Sequence, residues 1–97
     1  MSLRNRYSFI KKVYPNTLLI FIKNNKYFCI DNDYYIYKYF NNDIKQLRLN
    51  NIDYIIIDNL NIIEKSFNKN NYYNKYYKLI LIKRFMKVNL YKSLIKK

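Results

Sequence analysis

From Lys65 to Lys97 the chain has ten Lys and Arg and no carboxylate, with Tyr, Phe and Asn standing between the charges. That mixture suits one kind of chemistry, the holding of a polyanion. Lysines neutralise phosphates without reading sequence. Aromatic rings give faces on which unpaired bases stack. Asn amides reach base edges and 2′-hydroxyls. Lys65–Lys83 carries all three. A compact domain gains nothing from such a segment on its own, because like charges repel and oppose folding. All six Asp and Glu lie between Asp31 and Glu64, so the net charge of +13 is sorted along the chain. The partner this predicts is nucleic acid first and an anionic membrane surface second.

Other chemistries are poorly served. There is no His, the commonest general base and metal ligand. Cys29 is the only cysteine, which excludes an intramolecular disulfide and a cysteine metal cluster, and it reads as a small core residue. No Gly means no phosphate-cradling loop of the usual kind. Asp31/Asp33 and Asp53/Asp58 are the carboxylate pairs that could do acid–base work. The first pair reads as caps and turns at a helix start, the second as partners of nearby lysines. Ser66 and Ser93 have only Lys available to activate them. The expectation is a non-enzyme with no catalytic residue, no metal, no cofactor and no small-molecule substrate.

The apolar runs Leu18–Ile22 and Leu79–Ile82 are far shorter than the roughly 20 residues that span a bilayer. No membrane partner and no secretion signal are expected. The apolar set is Ile, Tyr, Leu and Phe, without Ala or Trp, and with Lys and Asn it matches AT-rich codons. The expected location is a bacterial cytoplasm or an organelle with its own genome.

The elements that must position these residues form one domain over 1–97. Met1–Lys12 reads as a basic lead-in, and Pro15 sets a turn or a helix start. Leu18–Ile22 is followed by a polar break, and Tyr27–Ile30 reads as a strand. Ile36, Phe40, Ile44 and Leu47 share one helical face after a cap at Asn32 or Asp33, and Asn50-Asn51 ends that helix. Ile52–Asp58 and Tyr76–Lys83 read as strands. Between them lies a basic loop over 59–75, and Met86–Lys97 is a basic tail anchored by Val88, Leu90 and Leu94. The predicted fold is α+β: a small antiparallel sheet with a packed helix and a long basic hairpin loop.

The order and spacing of several segments resemble bacterial- and plastid-type large-subunit ribosomal protein twenty-three. Tyr14-Pro15 and Thr17 look like that family's opening. Asn24–Asp31 is similar to its asparagine-rich turn and first aromatic strand, and the Ile36/Phe40/Ile44/Leu47 helix stands where the family has its amphipathic helix. Leu49–Asn61 looks like the following strand, and Leu81–Lys83 through Val88–Tyr91 resembles the closing strand. The resemblance implies a structural protein that binds large-subunit rRNA near the peptide exit tunnel. Its long loop would thread between RNA helices, with neighbouring ribosomal proteins and nascent-chain factors as further partners. Leu18 stands where the family carries the acidic residue that docks the nascent-chain chaperone. The expected RNA-binding surface is Lys65, Lys69, Tyr72, Tyr73, Lys75, Lys78, Lys83 and Arg84, joined by Lys11 and Lys12.

Two other resemblances are weaker. Ser8–Lys23 and Lys38–Asp58 can be laid on small-subunit ribosomal protein seventeen, an oligonucleotide-binding barrel, if Ile36–Leu47 is loop and strand. Tyr14–Tyr39 is similar to part of the first domain of mismatch-repair ATPases. A non-ribosomal basic protein binding RNA or a membrane surface is the remaining alternative; a membrane would need an amphipathic helix over Lys83–Lys97.

Overall fold

Without glycine, the chain makes its reversals from asparagine. The computed structural model describes residues 2–95, with side chains to residue 87. Among these, Asn24, Asn25, Asn41, Asn42, Asn51 and Asn59 have positive φ, as do Asp31 and Leu60. Asn and Asp enter this region more readily than other non-glycine residues because their short polar side chains bond locally.

Strands β1 (Leu18–Lys23) and β2 (Lys26–Phe28) are joined by Asn24-Asn25, with φ of 53° and 60°. Two successive left-handed residues match the twist of a tight hairpin. Asn59-Leu60 makes the same turn between β3 (Tyr54–Asp58) and β4 (Asn61–Ser66). There Leu60, at φ 66°, holds a conformation that costs a leucine about 1–2 kcal/mol.

Three helices precede the last one. α1 spans Leu3–Val13, and the Ser2 side chain caps it by accepting the Asn5 N–H at 3.1 Å. α2 spans Asp31–Tyr39 and α3 Ile44–Leu49. A single helix was expected over this stretch. Asn41 and Asn42 break it by turning left-handed, and Asp43 restarts it by accepting the Lys45 N–H at 3.0 Å. The predicted apolar face survives the break, with Ile36, Phe40 and Leu47 all buried.

The sheet has the order β2-β1-β3-β4. β1 and β3 are parallel, paired from Leu18↔Tyr54 to Ile22↔Asp58. The α+β class holds, but the sheet is mixed rather than antiparallel. The long connection through α2 and α3 brings the chain back in the same direction, which a tight turn cannot do. The two central strands are buried on both faces, so they read as continuous apolar runs. Leu18, Ile20, Tyr54 and Ile56 pack with Cys29, Ile36, Tyr37, Phe40 and Leu47, under α2 and α3. Leu19, Phe21, Ile55 and Ile57 pack with Ile10 of α1 on the opposite face. Each such Ile or Leu contributes about 1.5–3 kcal/mol by burial.

The last third departs most from the expectation. There is no long hairpin loop over 59–75. Its first part is β4, paired with β3 through a bulge between Ile56 and Ile57, and a short connection over 67–72 follows. The expected strand Tyr76–Lys83 lies within a helix, α4 (Tyr73–Ile95). Tyr73 is buried in the core beside Tyr76, Tyr77 and Ile80, which pack partly against it. That spacing of three, four and seven is one helical face, and its burial outweighs the strand preference of Tyr and Ile. The basic tail is helical to Ile95; its anchors Val88, Leu90 and Leu94 have side chains outside the described set, and Lys96 and Lys97 lie outside it altogether.

Candidate nucleic-acid interface

The candidate residues fall into an interior group and a surface group. The interior group centres on Asp33, in the first turn of α2 and fully buried. Its carboxylate accepts the Leu19 N–H at 3.1 Å, the Tyr73 O–H at 2.6 Å and Lys11 Nζ at 3.0 Å. Lys11 Nζ also reaches the Tyr73 hydroxyl at 2.9 Å and the Thr17 carbonyl. Its three protons therefore have three acceptors. This node ties α1, β1, α2 and α4 together. Burial disfavours both charges, pushing the Asp33 carboxyl up and the Lys11 amine down, and each is opposed by its partner. Burial and the Asp33 charge push the Tyr73 and Tyr7 hydroxyls well above the usual tyrosine range. Lys11 and Tyr73, two of the residues expected to bind RNA, are thus turned into the core.

The connection before α4 is fixed in place. Asp53 Oδ1 accepts the Asn68 N–H at 2.7 Å and its side-chain amide at 3.1 Å. Asn71 Oδ1 accepts from the Asp53 and Tyr73 N–H groups at 3.0 and 3.1 Å, and its amide donates to the Asn16 carbonyl at 2.7 Å. Asp53 therefore anchors a turn instead of pairing with a lysine. Among the described residues the ion pairs are Lys11–Asp33 and Arg4–Asp31, the latter at 3.6 Å.

The remaining expected residues are exposed. Lys12 sits on α1. Lys65 lies on β4, with Nζ 3.1 Å from the Tyr14 hydroxyl. Lys69 and Tyr72 lie in the connection. Lys75, Lys78, Lys83 and Arg84 share α4, a helix about 34 Å long at 1.5 Å per residue. Lys75 lies 5.5 Å from the centre of the Tyr72 ring, Lys83 5.0 Å from Tyr39, and Arg84 3.9 Å from Tyr35. The helix thus presents cations edged by tyrosines, two of them supplied by α2. The ten nominated residues do not form one surface: two are interior, four lie on α4, and the rest come from α1, β4 and the connection.

Tyr35 and Tyr39 escaped the sequence reading. Their spacing of four residues on the exposed side of a helix was the available signal, obscured by the tyrosine density around them. The outward face of α4 also exposes Leu81, Ile82, Phe85 and Met86. Among the described residues, no helix is long and apolar enough to cross a membrane, and no group of three His, Cys, Asp or Glu could hold a metal. Comparisons with protein-family models, curated proteins and solved structures each found no match for this chain.

Proposed function

We propose that this chain is a structural RNA-binding protein that uses α4 and the connection before it as its main contact surface. The observation that carries this is the set of cations Lys75, Lys78, Lys83 and Arg84 around α4: all exposed, Lys75, Lys83 and Arg84 beside tyrosine rings, and with no carboxylate within 4 Å among the described residues. Cations that stabilise the fold are held as Lys11 is held. These are left for a polyanion, which would relieve their mutual repulsion.

The narrower form of the proposal is a ribosomal protein of the large subunit, bound to its rRNA near the exit tunnel. It draws on the resemblance over Tyr14–Asn61. The C-terminal part lends it no support, since the residues matched to the closing strand are helical here. The small-subunit barrel reading draws no support from this stretch, since it calls for loop and strand where α2 and α3 stand. A second reading has one observation in its favour. Tyr14–Tyr39, similar to part of the first domain of mismatch-repair ATPases, holds β1, β2 and α2 in succession. In that reading the basic surface would face DNA.

Sedimentation of tagged protein from its own cells through sucrose gradients, at low and high salt, tests the narrower form. Salt-resistant migration with the large subunit is expected. Protein that stays at the top at every salt concentration overturns it. Equilibrium binding of the purified protein to RNA and to duplex DNA tests the broader form, which fails if RNA is not bound at low salt.

A further inference from the structure

Beside the buried node, a cleft of about 270 Å³ opens between the end of α1, the start of α2 and the first turns of α4. Tyr7, Tyr73 and Tyr77 line it together with Asn16, Asn32 and Asn74. The rings of Tyr73 and Tyr77 are near parallel, 20° apart with centres at 6.0 Å. The Asn32 amide donates to the Tyr77 hydroxyl at 3.3 Å, and Asn16 and Asn74 are exposed at the rim. Lys11 also borders the cleft, yet it offers little to an anion, because Asp33 cancels its charge and its protons are already taken. Beyond Asn32 and Tyr77, α2 and α4 pack closely as far as Arg84, leaving a depression of only about 10 Å³.

We propose that this cleft is a binding pocket for a single unpaired nucleobase. Tyr73 is buried and stacked on Tyr77, so the ring surface left for a flat base is that of the half-buried Tyr77, with Tyr7 across the cleft. The rim carries amides, whose paired donor and acceptor match the edges of bases. The interior is electrically balanced, which favours a neutral heterocycle over a phosphate. Arg84 stands outside the cleft, about two helical turns beyond Tyr77 on α4. The inference rests on the RNA-binding reading above and sharpens it: α4 would hold the backbone without regard to sequence, while the cleft would select strands with a base to spare.

The test compares a short single-stranded RNA carrying 2-aminopurine near its middle with the duplex of the same sequence. In Tyr77→Leu, single-strand affinity should fall about 5- to 150-fold, the range of one base stack. The change in 2-aminopurine emission on binding should disappear. Duplex affinity and the salt slope should stay as in the wild type, and Tyr77→Phe should retain the stack. Asn74→Ala, exposed and outside the core, should lower single-strand affinity about 2- to 12-fold, and it serves if Tyr77→Leu does not fold. Wild-type single-strand binding in both Tyr77→Leu and Asn74→Ala, or equal losses on single strand and duplex, overturns the pocket and leaves the RNA reading standing. A wild-type protein that binds neither RNA at low salt overturns both.

Discussion

Lys11 and Lys75 carry the same charge in opposite settings. Lys11 is mostly buried, held by a carboxylate, a hydroxyl and a carbonyl at the meeting point of four elements. Lys75 is exposed on α4, with tyrosine rings and no carboxylate beside it. The chain's acids explain the difference. Asp33 closes the interior node, Asp43 caps α3 and Asp53 fixes the connection before α4. Half of the scarce carboxylates are thus used to build the fold, and none is described on α4. Charge in this molecule divides into a part that makes the structure and a part the structure leaves unanswered.

The strongest way to break that contrast is Asp33→Ala. It strands Lys11 in the core without its counter-charge and removes the acceptor of the Tyr73 hydroxyl. The expected loss is about 3–5 kcal/mol of stability, read from urea unfolding. Replacing the pair together, Lys11→Met with Asp33→Leu, should recover the part of that loss due to the stranded charge, while the Leu19 N–H and the Tyr73 hydroxyl stay without their acceptor. A single Asp33→Ala that unfolds like the wild type would mean that the node is not structural.

The converse experiment acts on α4. Changing Lys75, Lys78, Lys83 and Arg84 to Gln should leave stability within about 0.5 kcal/mol. RNA affinity should drop. On a single strand, the slope of log affinity against log salt should fall by about 0.7 for each phosphate that is no longer neutralised. An unchanged slope would assign RNA binding to another surface. A large drop in stability would show that these cations serve the fold through the Tyr35 and Tyr39 rings.

The two kinds of charge could not be told apart from the sequence, and the reason lies in particular residues. Lys11 and Lys12 are adjacent and chemically alike; only the helical turn of α1 sends one inward. Asp33 read as a cap because Asp near a helix start usually is one, and its partner Tyr73 lies 40 residues away. Strands β2 and β3 were legible because β-branched and aromatic runs stood beside asparagines, while Leu18–Ile22, within β1, reads only as an apolar run before a polar break. α4 was not, because Leu79-Ile80-Leu81-Ile82 suits a strand locally and becomes helical only when Tyr73, Tyr76, Tyr77 and Ile80 have a core to cover. Likewise β4 hid behind a turn made by Asn59 and Leu60, where a more ordinary sequence would show glycine. The α+β class was legible since it depends on the presence of both element types, whereas the parallel pairing of β1 with β3 depends on how they are connected.

A smaller effect should separate the interior node from the surface through pH. The Tyr7 and Tyr73 hydroxyls are raised mainly by burial and further by the Asp33 charge, and burial pushes Tyr37 up to about 12 from 10.0. In the unfolded chain these groups lose their protons near pH 10, while the folded state keeps them. The unfolded state therefore binds fewer protons as pH rises, so the stability they confer is complete below pH 10 and lost above it. Lys11 runs the other way, since burial lowers it below 10.5, but its opposing change ends once the unfolded lysine has titrated. Unfolding free energies from urea titrations between about pH 9 and about pH 11 should fall with rising steepness, by at most about 1.4 kcal/mol per pH unit for each tyrosine and for the Cys29 thiol, which burial also raises. Tyr73→Phe should be less stable at neutral pH, having lost its hydrogen bond to Asp33, yet its decline at high pH should be shallower by up to one tyrosine's share. The α4 glutamine variant keeps all three tyrosines and should decline like the wild type. If Tyr73→Phe and the wild type decline in parallel, the Tyr73 hydroxyl is not held protonated by the node, and the sharp division between interior and surface charge loses its central member.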